Sequence, residues 1–460
     1  MKKSFKRYSD LSKWVIYLIV TVVIYTQLNI KYWQSKDRVI CWDVISYYAY
    51  LPATFIYKDL SLNFTDDYKG NHEFIFWPLK APNGKKVIKT SMGLSILFAP
   101  FFFIGHLIAL NSNYDAGGYS APYKFMLLIG SLFYLLVGLF YLRKILLQYF
   151  QKTITAVVLL LVFFATNLHY YSTTEATMSH VYNFALIAAF IWYTAVWFRE
   201  QSFTNSLILG FLSGLISITR PTNSIIAIVF IFWDVSNLNE LRTRLFIFSK
   251  QWYKLIIIIL VAFSVWLPQL LYWKMQTGSY FYFSYGENEK FFFSNPQIIN
   301  GLLSFRKGWL IYTPIMFFAV LGIAFLRKNM KGLLVPITIF LVVNVYIIFS
   351  WWCWWYGGCF GQRSFIDSYA LMALPLGAFL SWFYNSKITF WRRAIIMFSV
   401  ILILHGIYQT CQYHYGAIHW DAMTYKAYKK SIGKIYPPDN FDKVIKPPDY
   451  EKAQKGIKEY

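Results

Sequence analysis

Along the chain, apolar runs of bilayer-crossing length alternate with short polar links that carry lysine and arginine. A hydrocarbon core about 30 Å thick takes roughly 20 helical residues to cross. In lipid only helices and closed barrels satisfy their own backbone, and runs this continuously apolar suit helices. The pattern predicts an all-α polytopic membrane protein with about eleven transmembrane helices. The expected spans are 14–33, 122–142, 153–170, 181–198, 204–218, 222–234, 255–273, 309–326, 333–350, 369–385 and 392–411. Residues 204–218 and 222–234 read as a short pair meeting at Arg220-Pro221, where proline breaks the helix.

Basic residues set the expected orientation. Lys2, Lys3, Lys6, Arg7 and Lys13 precede the first span, which places 1–13 in the cytoplasm. No small-residue cleavage site follows that span, so it reads as a signal anchor. Arg242, Arg244, Lys250 and Lys254 mark one cytoplasmic link, and Arg327, Lys328, Lys331, Lys387, Arg392 and Arg393 mark two more. The transmembrane region is then 14–411, with external loops 34–121, 171–180, 274–308 and 351–368. Residues 93–110 are also apolar. As a span they would put Arg143, Lys144 and Lys152 outside, so they read as a juxtamembrane helix on or dipping into the outer leaflet. The tail, 412–460, is lysine-rich with Pro437-Pro438 and Pro447-Pro448, and is expected outside and partly extended.

Composition sharpens this picture. The chain is 57% hydrophobic and 14% charged, against about 25% charged for soluble domains. Its net charge of +23 serves orientation, and no nucleic-acid partner is expected. The four cysteines show no CxxC spacing, so free thiols are expected.

The candidate chemistry gathers on one side. Asp43, Lys89, Glu175, His180, Arg220, Glu287, Arg306, Arg363 and Asp367 all fall at external span ends or in external loops. No acid is expected in mid-membrane. That distribution suits a site at the outer lipid–water boundary better than an ion path. Asp43 stands alone in an aromatic run directly after the first span, and a helix there would put Tyr47 and Tyr50 on its face. A carboxylate that close to hydrocarbon needs a partner or a task. The short loop from Tyr170 to His180 brings Glu175 beside an imidazole, although its Ser and Thr residues also suit a helix cap. Arg220, Arg306 and Arg363 lie where basic residues are scarce, and guanidinium groups match phosphate oxygens two at a time. Lipid headgroup contact, or pairing with Asp367 and Glu287, would also explain them. No Walker A run or HExxH is present. An enzyme of this design would draw its activated substrate from the membrane.

These residues and their order resemble the GT-C glycosyltransferases, specifically the bacterial family that includes the aminoarabinose transferase of lipid A and the protein mannosyltransferases. The resemblance runs over about 10–385: an acid after the first span (Asp43 in Trp42-Asp43-Val44), juxtamembrane helices at about 44–58 and 93–110, and a second acid in the next outer loop, Glu175. Lys89 matches a lysine before the second juxtamembrane helix, and Arg220 matches a basic residue in the short paired spans. The chain departs from the family in having one acid rather than a pair at Trp42-Asp43, and His180 where an arginine is usual.

The resemblance implies an inverting transferase at the outer face of the cytoplasmic membrane. A sugar would move from a polyprenyl-phosphate donor to a lipid, glycan or protein acceptor. Asp43 would be the general base or orient the acceptor. Lys89, Arg220, Arg306 and Arg363, with Tyr47, would bind substrate, and Glu175 and His180 would position the sugar or assist proton transfer. No cofactor is required, although Asp43 and Glu175 could share a divalent cation. The alternatives are a lipid-linked oligosaccharide polymerase or ligase, and a non-enzymatic transporter of lipid-linked sugars. The latter should show inverted halves, and none is found.

Overall fold

A computed structural model describes residues 10–67 and 78–457. Lys2, Lys3, Lys6 and Arg7 of the expected cytoplasmic terminus, and the middle of the polar loop 63–89, lie outside the described residues.

Among the described residues, eight helices are long and apolar enough to cross a membrane, and the protein is a multi-pass, all-α membrane protein. Seven coincide with expected spans, including α1 (Leu11–Ile30), α5 (Ala121–Tyr149), α8 (Ser179–Arg199), α10 (Trp252–Thr277), α12 (Lys331–Ser350) and α14 (Thr389–His414). The seventh contains α13 (Tyr369–Tyr384), and the eighth is α4 (Gly93–Leu110). The other expected spans are shorter helices: α6 (Lys152–Phe164), α9 (Phe203–Thr219) with the irregular Pro221–Ile231, and α11 (Ile315–Asn329). Proline at 221 lacks the N–H that would continue α9, so the chain turns at Arg220.

Helices α8 and α13 form the centre, buried along most of their length, whereas α10 and α14 present wide apolar faces outward. That contrast is expected where the surrounding solvent is lipid. Helix α4 runs antiparallel to the first half of α5: Gly105 lies against Tyr123, Phe101 against Gly130, and the Tyr134 hydroxyl donates to the Leu97 carbonyl at 3.4 Å. Its first residue, Gly93, meets the end of α9 so closely that a Cβ would sit 2.5 Å from the Thr219 nitrogen. Only glycine permits that approach, and it seats the 91–93 segment on the end of α9 at Ile218–Thr219, next to Arg220 in the chain.

Two short helices follow α1, namely α2 (Asp43–Tyr48) and α3 (Tyr50–Phe55). The break at Ala49 separates the residues expected on one face. Asp43 and Tyr47 stay on α2, while the Tyr50 hydroxyl donates to the Thr90 carbonyl at 2.7 Å in a separate apolar cluster.

The tail is docked rather than extended. Lys446 N–H donates to the Ala422 carbonyl, Asn295 holds the Gly456 carbonyl at 2.7 Å, and the Tyr450 ring packs on Trp352 and Trp355.

Candidate active site

Asp43 opens α2 directly after Trp42, whose backbone has φ +50°. A bulky residue in that region costs of order 1–3 kcal/mol and persists only where the surroundings impose it. Here it turns the chain out of the loop so that the next carboxylate points at the loop before α13. The Asp43 Oδ2 accepts from the Arg363 guanidinium at 3.0 Å, across 320 residues of sequence. Asp43 remains half-exposed, whereas Arg363 is mostly covered. Tyr47, one turn along α2, sits within the fields of Asp43, Arg220 and Arg363 and hydrogen-bonds Ser179. Burial and the Asp43 charge push its phenol above the ordinary tyrosine range.

Glu175 lies in the loop between α7 (Leu168–Thr173) and α8. It accepts from the Tyr170 hydroxyl at 3.3 Å. Burial raises its carboxyl pKa, and the Arg363 charge opposes that rise most strongly. Arg363 thus answers both acids named in the sequence.

Arg220 belongs to a second, deeper constellation. Its Nη1 lies 3.3 Å from Oδ2 of Asp367 and 3.2 Å from the His180 ring nitrogen, and its Nη2 donates to Ser364 at 3.2 Å. Asp367 also accepts from Asn223 at 2.7 Å and meets His180 at 3.2 Å. Only 2% of the Asp367 side chain is exposed. A buried carboxylate with three partners can fix a guanidinium in one orientation. Asp367, Asn223 and Ser364 are the site residues that sequence reasoning did not assign. Asp367 reads in the sequence as one of the external polar residues and a candidate arginine partner, and the Thr219-Arg220-Pro221-Thr222-Asn223 turn is the available signal for Asn223.

Three expected ligand or catalytic residues are otherwise engaged. His180 packs among Asp367, Arg220 and the Tyr171 ring and is almost fully buried, so it supports Arg220 rather than facing a substrate. Lys89 pairs with Glu289 at 2.7 Å, over the Tyr285 ring. It ties the 278–297 loop to the site instead of offering a free cation; burial, Tyr47 and Asp43 drive the Tyr285 phenol well above its usual value. Arg306 donates to the carbonyls of Asp421 and Lys446 at 2.8 and 3.1 Å, which makes it the clasp of the tail. The neighbouring Lys307 is fully buried, donates to the Cys359 carbonyl and feels Glu175, and desolvation lowers its pKa.

Arg306→Ala should therefore free the tail. Hydrogen bonds from a charged donor contribute about 1.5–3 kcal/mol each, so opening of the tail should become at least about tenfold more frequent. Limited trypsin digestion followed by mass spectrometry would read this as faster cutting after the tail lysines. Unchanged cutting would mean that the other tail contacts suffice.

The described residues contain no group of three or more His, Cys, Asp or Glu arranged to hold a metal ion. A cation shared by Asp43 and Glu175 would lie beside the Arg363 guanidinium, which already holds Oδ2 of Asp43. The four cysteines are free.

No protein-family model matches the chain, and no curated protein does. The fold does match a solved structure, the archaeal oligosaccharyltransferase AglB from Archaeoglobus fulgidus in complex with an inhibitory peptide and a dolichol-phosphate. The TM-score is 0.51 at 12% identity, over 99% of this chain and 60% of that one. An apo form of an Archaeoglobus fulgidus oligosaccharyltransferase aligns at TM-score 0.47 and 12% identity over 95% of this chain and 57% of that one. A complex with Zn and sulfate aligns at 0.49 and 12% over 86% and 52%. The chain has the GT-C fold, and spans about three fifths of the AglB chain.

Proposed function

We propose, from a chain with the GT-C fold and the site it carries, that this protein is an integral-membrane glycosyltransferase. It moves a sugar from a polyprenyl-phosphate donor to a lipid, glycan or protein acceptor. The site lies at the outer face of the cytoplasmic membrane, with the amino terminus inside and the carboxyl terminus outside, as the basic links argue.

The observation that carries this reading is the placement of Asp43. A half-exposed carboxylate, bonded to Arg363, shares the neighbourhood of Tyr47 with the firmly held Arg220. An acid beside two cations is what single displacement at a glycosyl phosphate requires. The acceptor hydroxyl or amine forms a bond to the anomeric carbon as the carbon–oxygen bond to phosphate breaks. Asp43 takes the acceptor proton, and the electron pair leaves on the phosphate, whose charge Arg220 and Arg363 balance. Attack from the face opposite the leaving group inverts the anomeric centre. Asp367, His180, Asn223 and Ser364 hold Arg220 in place, and Glu175 helps to position Arg363 and the sugar.

The test uses purified protein in proteoliposomes, with a radiolabelled polyprenyl-phosphate sugar and an acceptor-containing membrane extract. Label should leave the donor lipid and appear on a new lipid, glycan or protein. Labelled donor that crosses the bilayer without losing its sugar would overturn this reading in favour of transport.

A further inference from the structure

We infer that residues 425–436 form a lipid-surface anchor that binds anionic phospholipid at the outer end of the last transmembrane helix. Helix α14 carries an exposed apolar stripe, Met397, Val400, Ile401 and Leu404, at helical spacing. The next position on that stripe is Tyr408, and its hydroxyl donates to the Lys434 carbonyl at 3.1 Å. Gln412, one turn further, donates to the carbonyls of Ser431 and Lys434 at 2.7 and 2.8 Å. The tail segment is therefore pinned directly above the face that α14 shows to lipid.

What it presents there is amphipathic. Ile432 and Tyr436 are 67% and 65% exposed, and Ile435 joins them beyond a turn at Gly433, where φ is +76°. Ile432 and Ile435 stand exposed, and Tyr436 is exposed on the side away from the Tyr415 ring, 5.2 Å off; set at the end of a lipid-facing stripe, the three lie at the depth where acyl chains give way to headgroups. Residues 425–436 also contain four lysines, at 426, 429, 430 and 434, all exposed, and no acid. Lysine stems lie along apolar surface while their ammonium groups reach outward, which suits the phosphates of an anionic leaflet. The clasp at Arg306 links this anchor to the loop that carries Lys307, so the anchor fixes the tail side of the site against the membrane.

Hydrogen–deuterium exchange on the full-length protein in nanodiscs tests the anchor. One set contains only phosphatidylcholine, and the other contains phosphatidylcholine with about one third phosphatidylglycerol. Each lysine near an anionic surface strengthens binding roughly fivefold, so exchange of 432–436 should slow on the order of tenfold in the anionic discs. The triple variant Lys429→Gln/Lys430→Gln/Lys434→Gln should abolish the difference between discs. Ile432→Ser/Ile435→Ser should speed exchange in both. Equal exchange in the two disc types would overturn the proposal, as would protection that rises with protein concentration, which would mean a second copy covers the segment. No transfer is measured, so the result stands apart from the glycosyltransferase reading.

Discussion

Asp43→Asn is expected to lower sugar transfer by about 10²–10⁴, the range for loss of a positioned general base. The fold should survive the change. Asp43 is half-exposed, and an ion pair in such a place contributes little, about 0–1 kcal/mol. Asparagine keeps an oxygen that can accept from Arg363, so the guanidinium need not move. Donor binding should change far less than turnover, because in the proposed mechanism the phosphate is seated on arginine rather than on the acid. Thermal unfolding, donor KM and turnover measured together separate these effects. Wild-type turnover in the variant would remove Asp43 from the chemistry. A large rise in donor KM at normal turnover would recast it as part of the donor seat.

The sequence made legible that Asp43, Glu175, Arg220 and Arg363 gather at one end of the spans, because that follows from apolar run lengths and the sign of the links. It did not reveal which residue meets which. Asp43 and Arg363 both read as external, yet their contact depends on the packing of α2 against the loop before α13. Arg220 and Asp367 lie 147 positions apart, and a pairing at that distance leaves no local signature. Arg306 and Arg363 looked alike in sequence, each an external arginine near glycine. The difference between them was set by the tail, whose return over the outer loops is a tertiary event without periodicity. Lys89 read as a substrate-binding cation, and its pairing with Glu289, on a loop 200 positions away, had no local signature either. The count of about eleven spans draws on shorter helices as well. Helices such as α6 and α9 are too short to be distinguished from full crossings by hydropathy alone, since neighbouring loops extend their apolar runs.

The sharpest separation of architecture from chemistry comes from Arg220 and Asp367. Arg220→Gln removes the guanidinium and leaves Asp367, with 2% of its side chain exposed, as a buried carboxylate missing its strongest partner. Breaking such a pair from one side costs about 3–5 kcal/mol. The variant should therefore melt at a clearly lower temperature and turn over about 10²–10³ more slowly, the loss typical when one donor to a developing anion is removed. Adding Asp367→Asn removes the orphaned charge while leaving an amide that still pairs with Asn223 and His180. Stability should return toward that of the wild type. Activity should not, because no cation has been restored where the departing phosphate gathers charge. If the double variant recovers both melting temperature and turnover, Arg220 is a structural partner of Asp367 and nothing more, and the phosphate seat must be sought at Arg363 alone.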